Sequence, residues 1–409
     1  MKITLVMSLL IMLSWQWLIG ISYADDAEVL PKGVSRVRID NNFYLPIDKR
    51  YNSDGEVENV AVDYNTSLNS SVFPALAFFG PSASIGNSVV SFDYDFNILN
   101  LGIEYGISNR LSAGIIIPYW WVTNNVDASV NSSAATVGKS VLADSLVPLP
   151  FAGTPDEEPL TTENVQNILG NGLDINGDGD INVTGFGYKR VETSSDNGLS
   201  DMEAGFRYQY FKTDAWRLAF TGGARLPTGK IDDPDNLVDY ARGDGTYDLL
   251  FRLNNDYTGI EKLVLDGTFR YDLQLPDREI KRVPADVNLP ITANKEEVKR
   301  DLGDIFELET SAKYSFFDGF NTSMLYKYIL KLKDEISGSQ GFAYQSLEDE
   351  TDITEHVLIV GLSYSTIPLF REKKFPFPLI GSISYRNRFA GSNNVLKSQY
   401  IALGLQAFF

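Results

Sequence analysis

The 409-residue chain contains no cysteine and a single histidine, His356. Without cysteine there is no disulfide framework, no thiolate metal site, no cysteine nucleophile and no lipoprotein anchor, which needs a cysteine after the leader. One histidine excludes multi-histidine metal centres and leaves any Ser-His-Asp scheme a single base. Positive charge is also scarce: 35 Lys and Arg stand against 54 Asp and Glu, for a net charge of −19. No basic surplus exists to replace phosphate counterions, so nucleic acid is not expected as a partner. After residue 24 no apolar run is long enough for a spanning helix, which excludes a helical membrane bundle. A mean hydropathy near zero then leaves a large secreted globular protein or a β-barrel, in which alternating faces average out.

What is present begins with an address. A short basic start, Met1-Lys2, leads into an apolar run from Ile3 to Ile21 and a small-x-small ending, Ser22-Tyr23-Ala24, before Asp25-Asp26. This predicts a secretory signal peptide over residues 1–24 and a mature chain of 25–409; an anchoring helix is the alternative.

Beyond the leader, helical periodicity is nearly absent and period-two alternation recurs to the last residue. Met202, Ala204, Phe206, Tyr208 and Tyr210 alternate with Asp201, Glu203, Arg207 and Gln209, and the next run repeats the pattern after a short turn. Twelve such runs can be marked, at about 34–45, 87–107, 110–122, 199–211, 215–227, 244–256, 261–275, 303–316, 320–333, 353–367, 376–389 and 397–409. Connections alternate between short (108–109, 212–214, 257–260, 317–319, 368–375) and mostly long and polar (46–86, 123–198, 228–243, 276–302, 334–352), with only 390–396 brief. An even number of long antiparallel strands with this alternation predicts an all-β fold, a transmembrane antiparallel barrel of about 12 strands with short periplasmic turns and long extracellular loops. A soluble β-sandwich would have shorter strands and a polar outer face. A sheet in lipid must close, because an open edge leaves backbone groups without partners. Aromatic girdles are expected at both interfaces: Phe43-Tyr44 and Tyr119-Trp120-Trp121 beside long loops, and Tyr210-Phe211, Tyr257, Phe316-Phe317, Phe375 and Phe377 at the short turns. The run at 87–107 changes phase, from Phe92, Tyr94, Phe96 and Ile98 to Leu101, Ile103, Tyr105 and Ile107, which predicts a bulge near Leu99-Asn100. The last strand ends on Phe409 and resembles the insertion signal read by the barrel-insertion machinery of the bacterial outer membrane, whose lipid is the expected surrounding.

Turning the polar faces inward predicts a pore wall of Arg36, Arg38, Glu104, Glu203, Arg207, Arg225, Arg252, Arg270, Glu307, Glu309, Lys327, Arg386 and Arg388, joined by Asp40, Arg217, Asp248, Asp266, Asp272, Lys313 and Lys331. Charges of both signs serve either as cross-strand ion pairs that stiffen a narrow barrel or as a polar path for solutes. The run Phe73 to Phe79 is too apolar for a solvated loop and is expected to tuck into the barrel mouth or form a greasy entry site. In the long loop 123–198, Thr162 to Leu169 reads as a short capped helix ending at Gly170. It is followed by Asp174, Asn176, Asp178, Asp180 and Asn182, with Gly179 between, a spacing that resembles the calcium loop of EF-hand and dockerin proteins. Gly185 stands where that loop has its bidentate acid, so the readings are a flexible Asx/Gly turn or a weak structural calcium site, near millimolar at about 10⁻³ M. No other cofactor is expected.

Enzymatic readings find little support. Barrel phospholipases resemble a His-x-Ser strand, whereas His356 is followed by Val357-Leu358; barrel proteases show Asp-x-His, whereas Thr354-Glu355 precede it here. His356 shares the apolar frame of Leu358, Val360 and Leu362 and reads as an interfacial residue, so the chain is not expected to be an enzyme.

Two stretches carry a family likeness. Leu101-Gly102-Ile103-Glu104-Tyr105-Gly106-Ile107-Ser108-Asn109-Arg110-Leu111-Ser112-Ala113-Gly114, running to Pro118-Tyr119, is the first; Asn197-Gly198-Leu199-Ser200-Asp201-Met202-Glu203-Ala204-Gly205-Phe206-Arg207-Tyr208, running to Arg225-Leu226-Pro227-Thr228-Gly229, is the second. They resemble the transporter-like outer-membrane family named for the meta-pathway of phenol degradation, over residues 90–409. That resemblance implies a barrel in the bacterial outer membrane and uptake of aromatic or other hydrophobic compounds. The expected function is therefore a passive channel or uptake porin for small, aromatic or hydrophobic cargo; the alternative is a non-conducting structural or surface-binding barrel.

Overall fold

The computed structural model describes residues 26–149 and 156–409; the expected leader, 1–24, lies outside them. Twelve strands form the wall: β1 (Ser35–Tyr44), β2 (Ser84–Ser108), β3 (Leu111–Asn131), β4 (Met202–Lys212), β5 (Trp216–Leu226), β6 (Asp248–Ile260), β7 (Leu263–Gln274), β8 (Ile305–Phe317), β9 (Phe320–Lys331), β10 (Ile353–Ser365), β11 (Leu379–Gly391) and β12 (Gln399–Phe408). Each pairs antiparallel with the next, and β12 returns to β1 from Arg36 opposite Phe408 to Tyr44 opposite Tyr400. Ser35 and Phe409 exchange amide–carbonyl bonds of 3.0 and 2.9 Å below that seam and extend the closure by one pair. Closure leaves the wall no open edge at membrane level, the condition for placing a sheet in hydrocarbon.

At that level the outward positions are apolar and half exposed, among them Ile39, Ile103, Phe206, Leu253, Phe269, Leu308, Val360, Ile383 and Leu403. The inward positions hold the charges of the wall, among them buried Arg225, Asp248, Arg252, Arg270, Asp272, Glu307, Lys327 and Arg386. Aromatic residues bound the belt, with Phe43 and Trp121 at the long-loop end and Tyr210, Phe211, Trp216, Phe316, Phe317 and Phe377 at the turn end. Of the expected upper sets, Phe43 joins this girdle without Tyr44, and Tyr119 and Trp121, their rings 4.7 Å apart, join it without Trp120. Tyr44 and Trp120 point inward and are buried, because successive strand residues face opposite sides.

The expected bulge at Leu99-Asn100 is absent. The β2–β3 register runs without a slip from Asn87 opposite Asn131 to Gly106 opposite Ser112. The phase change is a change of solvent instead: Phe92, Tyr94, Phe96 and Ile98 face inward like Gly102 and Glu104, while Asp93 and Asp95 share the outward face of Ile103. Above Trp121 the β2–β3 hairpin leaves the membrane, so its exterior is polar and its interior apolar. For the same reason β3 continues to Asn131 rather than ending near residue 122, with Ser194–Leu199 paired beside it. At the opposite end, the connection of β10 to β11 spans 366–378, longer than the expected 368–375, and contains a short helix, Ile367–Arg371.

Outer loops fold over the projecting hairpin as a cap. Thr162–Leu169 is the helix predicted for that position; Thr161 caps it and Gly170 ends it. Phe73 and Leu76 are buried in the cap on a 3₁₀ turn, Pro74–Phe79, whereas Phe78 is 89% exposed. A three-stranded sheet of Asp277–Arg282, Lys295–Asp301 and Glu335–Ser337 flanks them. Arg282, fully buried, ties this sheet to two other loops: it donates to the carbonyls of Phe186 (2.8 Å), Gly187 (2.8 Å) and Thr292 (2.6 Å) and to Asp235 (2.9 Å). Its guanidinium also lies 3.9 Å from the Tyr188 ring centroid.

Candidate functional site: two cavities in one barrel

All thirteen expected pore-wall residues lie on inward faces, but they fall into two groups. Arg36, Arg38, Glu104, Glu203, Arg207 and Arg252 border a vestibule of about 1030 Å³ at the turn end of the barrel. Its wall is opened by glycine: Gly114, Gly205 and Gly223 stand opposite one another on β3, β4 and β5. A Cβ at Gly205 would meet the Gly222 carbonyl oxygen at 2.7 Å and one at Gly223 the Ala204 oxygen at 2.7 Å, so the backbones come too close for any side chain.

Arg225, Arg270, Glu307, Glu309, Lys327, Arg386 and Arg388 do not border the vestibule; they are packed into a buried ionic layer. Glu203 links the two groups. Its carboxylate receives Arg225 at 3.4 Å, Arg252 at 3.2 Å and Arg270 at 3.3 Å. Arg225 also grips Asp248 and reaches Asp272, and Arg270 holds Asp272 at 2.7 Å. Lys327 bridges Glu307 (2.9 Å) and Glu309 (2.5 Å), Arg388 pairs with Glu355 (2.8 Å), and Arg386 donates to the Tyr400 hydroxyl (3.2 Å). Ion pairs of this kind offset the cost of burying charge in a narrow barrel.

A second cavity of about 260 Å³ lies in the cap. Tyr64, Leu68, Val72, Phe73, Val130 and Leu237 are among its walls, so it is mostly apolar. Between the two cavities, five successive inward residues of β2, Phe92, Tyr94, Phe96, Ile98 and Asn100, are no more than 4% exposed. Tyr240, from the loop between β5 and β6, packs into this layer with its ring 4.6 Å from Phe96, 5.5 Å from Tyr94 and 6.0 Å from Trp120. The loop is held by side-chain bonds rather than a strand ladder: Asn124 donates to the Val238 carbonyl (2.7 Å), Tyr64 to that of Leu237, and Arg242 to that of Leu199 (2.6 Å).

Sequence reasoning missed this loop, although Leu237-Val238-Asp239-Tyr240-Ala241 is an apolar run inside a polar connection, the signal that singled out Phe73 to Phe79. It also missed the segment Asp26–Pro31, which lies within the barrel. The Ala27 amide donates to Asp256 at 2.9 Å, and Gln209 donates to the Ala27 carbonyl at 2.7 Å. Nothing local marks such a segment, because its partners are more than 180 residues away.

The calcium-like loop is exposed and turned upon itself. Asp174 accepts from the amides of Gly177 (2.7 Å) and Gly179 (2.8 Å), Asn176 from Asp178 (3.0 Å), Asp178 from Asp180 (2.8 Å), and Asn182 from Ile175 (2.6 Å). The Asp180 amide and then the Asn176 side chain hold the Asp178 carboxyl below its ordinary range. Among the described residues no three acidic or histidine side chains gather as a metal cluster. His356 faces outward at the girdle. Its Nδ1 is 2.7 Å from the Tyr326 hydroxyl, with Tyr328 and Phe389 beside the ring.

The chain matches no described protein family and no curated protein. Among solved structures it is similar to an outer membrane channel from Pseudomonas putida F1, with a TM-score of 0.52 at 11% identity, covering 95% of this chain and 99% of that one. That likeness shows the fold. Looser likenesses include a monoaromatic hydrocarbon channel, CymD (TM-score 0.35, 9% identity, 93% and 89% covered), and the NanC porin (TM-score 0.35, 9% identity, 78% and 97% covered).

Proposed function

We propose that this barrel is a passive, non-enzymatic channel of the bacterial outer membrane for small apolar or aromatic molecules. The observation that carries the proposal is the serial arrangement: an apolar pocket of about 260 Å³ on the long-loop side, a polar vestibule of about 1030 Å³ on the turn side, and between them a layer closed by a single inserted loop. A pocket of that size and polarity suits a single ring, which would leave water for the cap before crossing a charged interior. The likeness of residues 101–119 and 197–229 to the phenol meta-pathway family supports the same cargo. Surrounding lipid, small-molecule cargo and the barrel-insertion machinery acting on the strand that ends at Phe409 are the partners of this reading. Thirteen inward charges then form the polar wall, six of them meeting solute directly.

A second reading, a non-conducting barrel, draws on the buried aromatic and ionic layers. Planar bilayers separate the two. Purified protein is expected to show small, infrequent openings, and Tyr240→Ala, which empties the centre of the aromatic layer, to raise conductance and flux of a monoaromatic tracer into liposomes. Silence of both proteins, with the barrel folded, would support the closed structural reading instead.

A further inference from the structure

We infer that the vestibule on the turn side is a binding site for small organic anions, carboxylates in particular, so that the cargo is an arene bearing a negative charge. This rests on the channel reading and narrows its substrate class.

The chain as a whole is strongly acidic, with 35 Lys and Arg against 54 Asp and Glu. The vestibule inverts that sign: its lining contains seven Lys and Arg side chains and four Asp and Glu. The four acids are already engaged. Glu104 takes Arg36 and, at 2.6 Å, the Ser112 hydroxyl; Glu203 takes three guanidiniums; Glu28 meets Arg217; and Asp26 lies 3.7 Å from Arg207. Of the acids just behind the wall, Asp40 is held by Arg38 at 2.7 Å and Asp256 by Arg217 at 3.0 Å, while Asp266 accepts from the Ser311 hydroxyl at 2.6 Å. Lys212, Lys313 and Arg371 come to the lining from β4, β8 and the helix Ile367–Arg371, three elements that meet at the turn-side mouth. Cations distributed around a concave, low-dielectric wall focus the field on its interior and draw anions in. Arg36 and Arg207 each already pair with one acid, but a guanidinium carries five N–H donors, so the arginines of the wall can also receive an incoming carboxylate. The glycine surface of Gly114, Gly205 and Gly223 beside them leaves room for a flat ring.

Together with the apolar pocket in the cap, this gives opposite selections at the two ends: the first cavity admits an apolar ring, and the second retains it by charge.

The test is equilibrium binding to the detergent-solubilised full-length barrel, which needs no conduction. Benzoate and its neutral near-isostere benzyl alcohol are titrated by calorimetry at low and high salt, with the wild type and an Arg371→Gln/Lys313→Gln double variant at the mouth. Benzoate is expected to bind more tightly than benzyl alcohol, to lose affinity with salt, and to bind about fivefold more weakly to the double variant. Equal binding of the two compounds, no salt dependence, or no binding of benzoate overturns the inference; the salt series decides independently of whether the variant folds. Benzoate binding without flux through bilayers would sink the channel reading and leave the anion site standing.

Discussion

Strands β2 and β3 run through two solvents, and their lower and upper halves teach opposite lessons. Below Trp121, Ile103 and Ile115 face outward and Glu104 and Ser112 face inward. Above it, Asp93, Asp95 and Asp127 face outward and Phe92, Tyr94 and Val122 inward, with no slip in register. The lower half is built inside out for hydrocarbon; the upper half is an ordinary protein interior, filled by loops instead of by a second sheet. One backbone pattern supports both because side-chain direction is set by the pleat, while polarity is set by what each face meets.

The comparison breaks most severely at the ionic layer. Replacing Glu203 by Ala leaves Arg225, Arg252 and Arg270 without their shared acceptor. The expected loss is about 3–5 kcal/mol of unfolding free energy in lipid vesicles, measured by denaturant titration.

The outward faces give a sharper comparison on a single strand. Ile103→Arg places a cation in the apolar belt and is expected to cost about 2–4 kcal/mol. Val89→Arg, outward and 50% exposed on the projecting half, should change stability by no more than about 0.5 kcal/mol. Equal costs at the two sites would show that the upper half is not in water.

Within the cap the effect is smaller and depends on pH. Partial desolvation pushes the Asp235 carboxyl up, but bonds from Lys295 and Arg282 outweigh this and hold it below its ordinary range. A depressed carboxylate contributes stability that is complete above its unfolded value, about pH 3.9, and is lost as pH falls through the lower folded value. Limited proteolysis should therefore find the loops around Tyr188 and Thr292 opening in acid below about pH 4, while the barrel itself resists. Arg282→Lys, which keeps charge but loses the fork, should open the same loops at neutral pH. Smallest is the calcium response: with weak binding at Asp174 to Asn182, millimolar calcium should protect residues 170–190 from protease and a chelator should remove that protection. Identical cleavage with and without calcium would leave only the Asx turns.

Much of this architecture was legible without coordinates. Ten or more alternating residues, repeated twelve times, specify strands, and the alternation of Phe206, Tyr208 and Tyr210 with charged neighbours specifies which face seeks lipid. The helix Thr162–Leu169 was legible because its cap, Thr161, and its stop, Gly170, are local. The false bulge at Leu99-Asn100 came from reading a change of polarity as a change of geometry. Proximity to the long loops points Tyr44 and Trp120 to the girdle, whereas the pleat sends them inside.

Sequence alone determined a closed all-β barrel of about twelve strands and which face of each strand seeks lipid, because these follow from a two-residue period and the intolerance of hydrocarbon for unpaired backbone. Tertiary structure decided which charges meet a cavity and which are consumed in pairs, where the barrel leaves the membrane, and what seals it. Tyr240 reaches Phe96, and Ala27 reaches Asp256, only through closure of long loops and return of the N-terminal segment. Contacts of that separation leave no period in the chain, since the surroundings of each residue are supplied by segments far away along it.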